Sequence, residues 1–166
     1  MIVKKIKGFN ILDNTTKNNS KVMKFEFFDV TADVGYRAYG NSLSNAFENA
    51  ATAMFEVITD TTTIKHLIEK QIELEAEDKY ALFYDWLSEL LFYHDAEYLV
   101  FSKFDVKIYS NVTEDPEVYY LVATAWGEEF DPIRHERRSE VKAVTYHMMD
   151  IDDENLNVMV QVILDI

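Results

Sequence analysis

The chain contains no cysteine. That excludes disulfides, thiolate metal sites and cysteine nucleophiles together, and it fits a reducing compartment. Glycine is scarce at four and proline at two, and no glycine-rich loop is present to cradle a phosphate. No GxSxG elbow and no HExxH pair occurs. The four histidines, at 66, 94, 135 and 147, have no ligand spacing. Long apolar runs are also missing. No stretch approaches the roughly 18 residues of a membrane span, and MIVKKIKGFNIL lacks the apolar run of a secretory signal. A soluble, cytoplasmic protein without a membrane partner is expected. Basic residues are outnumbered: 16 Lys and Arg face 30 Asp and Glu, for a formal charge of −14. Such a field repels a polyanion, and nucleic-acid affinity depends on neutralising phosphates. Direct nucleic-acid binding is therefore not expected. Proteins, metal cations and basic surfaces suit the charge better, and an acidic surface kept only for solubility is the plainer alternative.

What is present points to one domain. The length is 166 residues, 48% hydrophobic and 14% aromatic, which is globular composition. Residues 1–23 read as a peripheral segment: NILDNTTKNNSK is polar and aperiodic, as loops are, and VKKI could add a strand. From residue 24 the patterns sharpen. KFEFFDV and GYRAYG read as strands. In SLSNAFENAATAMFEVI, Leu43, Ala46, Phe47, Ala50, Met54, Phe55 and Ile58 keep helical spacing behind an N-cap at Asn41 or Ser42. QIELEA alternates as a strand. Asp78 then caps a second helix whose stripe is Leu82, Phe83, Trp86, Leu87, Leu90 and Leu91. SKFDVKIYS, VYYLVATAW, EVKAVTYHMMDI and NVMVQVILDI follow with period two, and DDENLN between the last two is hairpin chemistry. The expected fold is α+β and a single domain: a mostly antiparallel, curved sheet with two main helices packed on it.

Carboxylates are the candidates for chemistry. If Val158, Val160, Val162, Leu164 and Ile166 face the core, then Met159, Gln161, Ile163 and Asp165 face the other way. Asp165 then emerges beside the terminal carboxylate of Ile166. Two adjacent carboxylates repel unless a cation or a set of donors lies between them, and hard divalent cations take such oxygens. A third donor is sought in DVTADVG, where Asp29 and Asp33 sit in the bend between two strands. An aspartate in a tight connection also bonds nearby backbone N–H groups, and on spacing alone that structural role is the favoured reading. A lone His147 in a strand reads as a structural hydrogen-bonder. In GEEFDPIRHERRSEVKAVTYH, Arg134, Arg137, Arg138 and Lys142 form a basic island after Glu128, Glu129 and Asp131. The simple reading is a solvated loop with internal ion pairs; the other is a docking loop in which Arg134, His135, Arg137 and Lys142 touch a partner.

The stretches VTADVGYRAYGNSLSNAFENAATAMFEVITD, YALFYDWLSELLF, WGEEFDPIRHERRSEVKAVTYHMM and the closing LDI, taken in order, resemble the archease family from residue 24 to residue 166. The resemblance implies an α+β domain of strand–helix–strand–strand modules. It implies a non-catalytic activator of the RtcB-family tRNA-splicing RNA ligase, promoting GTP-dependent guanylylation and multiple turnover. A chaperone-like modulator of a tRNA cytosine-5 methyltransferase is the alternative. A metal-dependent hydrolase is a distant third, since no evident nucleophile or general base accompanies the carboxylates. The resemblance further implies a divalent cation, calcium with magnesium or manganese as alternatives, on Asp33, Asp165 and Ile166. Archeases commonly carry His-Thr-Ala-Asp, whereas this sequence has Val30-Thr31-Ala32-Asp33. Any contribution of that histidine is absent here.

Overall fold

The computed structural model describes residues 10–11, 23–111, 113 and 117–166. Its elements run β1 (Asn10–Ile11), β2 (Phe25–Val30), β3 (Asp33–Gly40), α1 (Leu43–Ile58), a 3-10 turn (Thr61–Thr63), β4 (Ile68–Ala76), α2 (Lys79–Glu97), β5 (Leu99–Asn111), β6 (Val118–Glu129), β7 (Ala143–Asp152) and β8 (Val158–Asp165). The α+β, antiparallel expectation holds. The strands divide, however, into two four-stranded sheets, ordered β1-β5-β6-β4 and β2-β3-β8-β7. All strand pairs are antiparallel. The stretch VKKI lies outside the described residues. In the segment read as an aperiodic loop, Asn10 and Ile11 pair with Ser110 and Tyr109.

Local chemistry explains both helix starts. The Ser42 hydroxyl accepts from the Asn45 backbone N–H at 3.1 Å. The Asp78 carboxylate accepts from that of Ala81 at 2.8 Å. Each cap satisfies a donor that the helix itself cannot. All six residues of the α2 stripe are buried. In α1 the expected single buried face is too narrow a description. Ser44, Asn49, Ala51, Ala53 and Val57 are buried as well, because the helix contacts β5 of the first sheet and β3 and β8 of the second. Small residues such as Ala50, Ala51 and Ala53 let it fit there. Its polar side chains bind the edge of β5 next to the short pairing with β1: Glu48 accepts from the Val106 N–H and Ser44 from the Ile108 N–H. That covers an edge which would otherwise invite association.

The core lies between the sheets. Trp86 is fully buried and donates from Nε1 to the Phe47 carbonyl at 3.1 Å. Tyr36 donates to the Ala50 carbonyl at 2.9 Å. Two buried polar atoms are thus paired, as a dry interior requires. Gly127 has a steric purpose. A Cβ there would run into the Val100 carbonyl oxygen, where β5 bulges between Phe101 and Lys103 against β6. In the second sheet β7 carries a larger irregularity. Residues 146–149 stand opposite the single position of Val162, and Met148 takes a positive φ of 53°.

Candidate functional site: a carboxylate corner on the outer face of the second sheet

The DVTADVG connection is tighter than its sequence suggested. Val30 pairs with Asp33, so only Thr31 and Ala32 form the turn. Ala32 adopts φ 66°, a left-handed conformation that costs roughly 1 kcal/mol for a residue with a Cβ. Asp33 therefore begins β3, and Asp29 lies within β2 on the opposite face.

Across β3 and β8, Asp33 is the direct partner of Asp165. Directly opposite residues in an antiparallel pair share a face, with Cβ atoms about 5 Å apart. The row across the whole sheet reads Val30, Asp33, Asp165, Ala143. It lies on the outer face, away from the helices, since the alternate residues Tyr36, Val162 and Leu164 are in the core. Asp165 is exposed and Asp33 half-buried. Among the described residues, neither carboxylate has a hydrogen-bond or ion-pair partner. Ile166 packs its side chain against the core, as the alternation along β8 predicts. The Asp165 carbonyl accepts from the Lys142 N–H at 2.8 Å, and Lys142 Nζ donates to the Ile166 main-chain oxygen at 2.9 Å. The three predicted site residues thus converge, and Lys142 joins them. Asp29 does not.

The donor set is two carboxylates and a main-chain oxygen. These are hard oxygen ligands of the kind calcium or magnesium accepts. The side-chain contribution stops at two: no group of three or more His, Cys, Asp or Glu suited to a metal occurs among the described residues. A cation here would complete its shell with water.

The basic island has a different character. Glu128 is only 5% exposed. Its carboxylate accepts from the Lys65 N–H, from Arg134 at 2.6 Å and from His135 Nε2 at 3.2 Å. His135 Nδ1 accepts from the Asp131 N–H at 2.9 Å, so the ring proton donated to Glu128 sits on Nε2. Arg138 pairs with Glu56 and Glu136 and donates to the Glu56 carbonyl. The segment after β6 is therefore strapped to the end of α1 by its own charges. Its first residues, Gly127 to Glu129, continue β6 rather than the expected loop. The structural reading of Arg134, His135 and Arg138 accounts for their geometry. Arg137 lies 5.9 Å from the Phe130 ring centroid. His147 is exposed within the β7 irregularity.

A profile of the archease protein family matches residues 25–166, the span that begins at β2 and ends beyond Asp165. An archease from Methanothermobacter thermautotrophicus is 54% identical over 142 residues, covering 86% of this chain and 98% of the relative. The chain belongs to the archease family. A second archease, from Sulfurisphaera tokodaii, is 45% identical over 145 residues, 87% of this chain and 100% of the relative. The solution structure of Methanobacterium thermoautotrophicum protein 1598 superposes with a TM-score of 0.74 at 54% identity, covering 86% of this chain and 99% of that one. The crystal structure of a Thermotoga maritima archease, described as a possible chaperone, gives a TM-score of 0.54 at 19% identity, over 91% of this chain and 100% of that one. That last likeness is one of fold alone.

One feature beyond the corner was not foreseen from the sequence. Gln161, on the outer face of β8, is buried and doubly bonded: it accepts from Arg37 Nε at 2.8 Å and donates to the Met148 carbonyl at 2.8 Å. This ties β3, β8 and the β7 irregularity together beside the carboxylate corner. The one hint was YHMM, where apolar and polar residues cease to alternate.

Proposed function

We propose that this archease is a non-catalytic accessory protein that activates an RtcB-family tRNA-splicing RNA ligase, promoting its GTP-dependent guanylylation and multiple turnover. Asp33, Asp165 and the terminal carboxylate of Ile166 hold a divalent cation, calcium or alternatively magnesium or manganese, at the surface that meets the ligase. The observation that carries this reading is the direct opposition of Asp33 and Asp165 on an outer sheet face, with no ion-pair partner for either among the described residues. Like charges placed directly opposite destabilise a sheet, and a bound cation reverses that term. The cation supplies positive charge to an otherwise acidic surface. The chain's own residues hold it at a fixed place: strand pairing sets Asp33 and Asp165, and burial of the Ile166 side chain sets the last carboxylate. The net charge of −14 complements the basic, RNA-binding face of such a ligase.

The test is multiple-turnover RNA ligation and guanylylation by the cognate ligase, with wild type, Asp33→Asn and Asp165→Asn. Stimulation by wild type that both variants lose supports the reading. Equal stimulation by all three makes the carboxylate corner structural. No stimulation of the ligase, with altered site selection by a tRNA cytosine-5 methyltransferase instead, replaces the activator by the chaperone-like modulator. Val30→His then asks whether an imidazole in the same row as Asp33 strengthens cation binding.

A further inference from the structure

At the edge of the second sheet, the β7 irregularity carries Tyr146 against α2. Its ring stacks on Tyr84, with centroids 4.3 Å apart and planes 10° from parallel. Tyr146 nonetheless remains 55% exposed. The arrangement is fixed on both sides. The Met148 carbonyl is held by Gln161, and Tyr80 donates to Asp150 at 3.4 Å. The charges that act on Tyr146 are those of acids, with the nearby Lys79 drawn off into an ion pair with Asp153. Asp85 is half-buried next to Tyr84, and Glu77 and Asp78 stand exposed just before α2. Burial pushes the Asp85 carboxyl up. Burial, and then the charges of Asp85, Tyr84, Asp78 and Glu77, push the Tyr146 phenol up.

Elsewhere the protein places its own cations over aromatic rings. Arg37 lies 5.0 Å from the Phe28 centroid, Lys70 4.9 Å from Tyr93, Lys79 5.9 Å from Tyr119, Lys103 4.5 Å from Trp126 and Arg137 5.9 Å from Phe130. Among the described residues, no cation covers Tyr84 or Tyr146. This stack has the ring faces and the carboxylates of a cation site but lacks the cation.

We propose that the Tyr84–Tyr146 stack, together with Asp85, docks an arginine side chain presented by a protein partner. An exposed ring face attracts a cation. A guanidinium is planar, so it lies on a ring while its N–H edge reaches a carboxylate; a lysine ammonium is a point charge and does not do both. The carboxylates of Asp85, Asp78 and Glu77 repel the phosphates of a nucleic acid. The surface shares no residue with the carboxylate corner and does not depend on the ligase reading.

The experiment titrates N-acetyl-Gly-Arg-Gly-amide into the full chain and follows tyrosine ring signals by NMR, with the citrulline peptide as an uncharged control of the same shape. Saturable shifts at Tyr84 and Tyr146 with arginine and not with citrulline are expected. Tyr146→Leu and Asp85→Asn each weaken binding by about three- to fivefold while keeping the wild-type melting temperature. Phe92→Ala, at another exposed ring of α2, leaves it unchanged. Equal shifts with citrulline, shifts elsewhere on the acidic surface with both rings unmoved, or full affinity in both weakening variants would overturn the proposal. So would the same ring shifts with oligouridylate but none with the arginine peptide.

Discussion

Glu128 and Asp165 are both acids at the ends of long strands, and they have opposite fates. Around Glu128 the charge is answered: the Arg134 guanidinium, the His135 ring and the Lys65 backbone N–H converge on one carboxylate, and Arg138 closes on Glu56. Around Asp165, the facing residue is another acid, Asp33. Lys142, whose backbone N–H bonds the Asp165 carbonyl, has its ammonium engaged by the Ile166 oxygen. The difference separates two uses of charge. An acid enclosed with its counter-ions holds the chain together, and its removal is felt as lost stability. Two acids set opposite each other on a surface add a small like-charge cost to the fold, so removal of one is felt as no loss or a slight gain of stability.

The largest expected effect lies on the enclosed side. Glu128→Ala strands a buried histidine and a partly buried arginine, and lowers unfolding stability by about 3 kcal/mol in chemical denaturation. A loss below 1 kcal/mol would erase the distinction between the two regions. Next comes calcium. At a hundredfold excess over its dissociation constant, calcium raises wild-type stability by about 2.7 kcal/mol. In chelator, Asp33→Asn and Asp165→Asn are as stable as wild type or gain up to about 0.5 kcal/mol, because a like-charge pair is removed; with calcium they gain no increment. Thermal unfolding in both buffers checks this, and equal increments in all three proteins would move the cation elsewhere.

A smaller effect is expected in acid. Burial tends to raise the Glu56 carboxyl, but hydrogen bonds from Thr61 and Arg138 outweigh it and hold the group below its ordinary value of 4.5. Glu128 is held down in the same sense by Arg134, Lys65 and His135 against the opposing effect of burial. A carboxyl lowered in the folded state contributes stability above its unfolded value, and that contribution is lost as pH falls through the folded one. Stability of wild type therefore declines below pH 4.5, and Glu56→Gln flattens the decline. An identical pH profile in the variant would show the strap to be dispensable. The smallest effect belongs to Lys142→Gln. It changes stability by less than about 0.5 kcal/mol and tightens calcium slightly, since a positive neighbour is gone. Weaker calcium binding would instead make Lys142 a positioning residue for the terminal carboxylate.

Much of this was legible in local pattern. The N-cap at Asp78 and the whole buried stripe of α2 follow from capping chemistry and the 3.6-residue period, whereas the choice between Asn41 and Ser42 fell to Ser42 in the structure. Period-two alternation placed Asp165 on the outer face of β8 and turned Ile166 inward. The burial of Gln161 and Ile163 on that outer face was not legible, because it depends on what neighbouring strands and the β7 irregularity lay over them. The double burial of α1 was not legible either. Its two faces meet different sheets, and a stripe of apolar residues predicts one contact surface, not two. The Tyr84–Tyr146 stack needs a bulge, and a bulge is a mismatch between two strands rather than a property of one.

By itself the amino-acid sequence determined the two helices and most of the strands, which side of α2 and of β8 turns inward, and that acids outnumber bases. Those are properties of short windows, set by side-chain period and capping chemistry. Only the tertiary structure decided which acids are compensated. Strand register and sheet order bring together residues from distant parts of the chain, and a charge has no counter-ion until its neighbours in space are chosen. A carboxylate therefore becomes a buried strap at Glu128, while at Asp165 it faces another acid on an open surface with no ion-pair partner among the described residues.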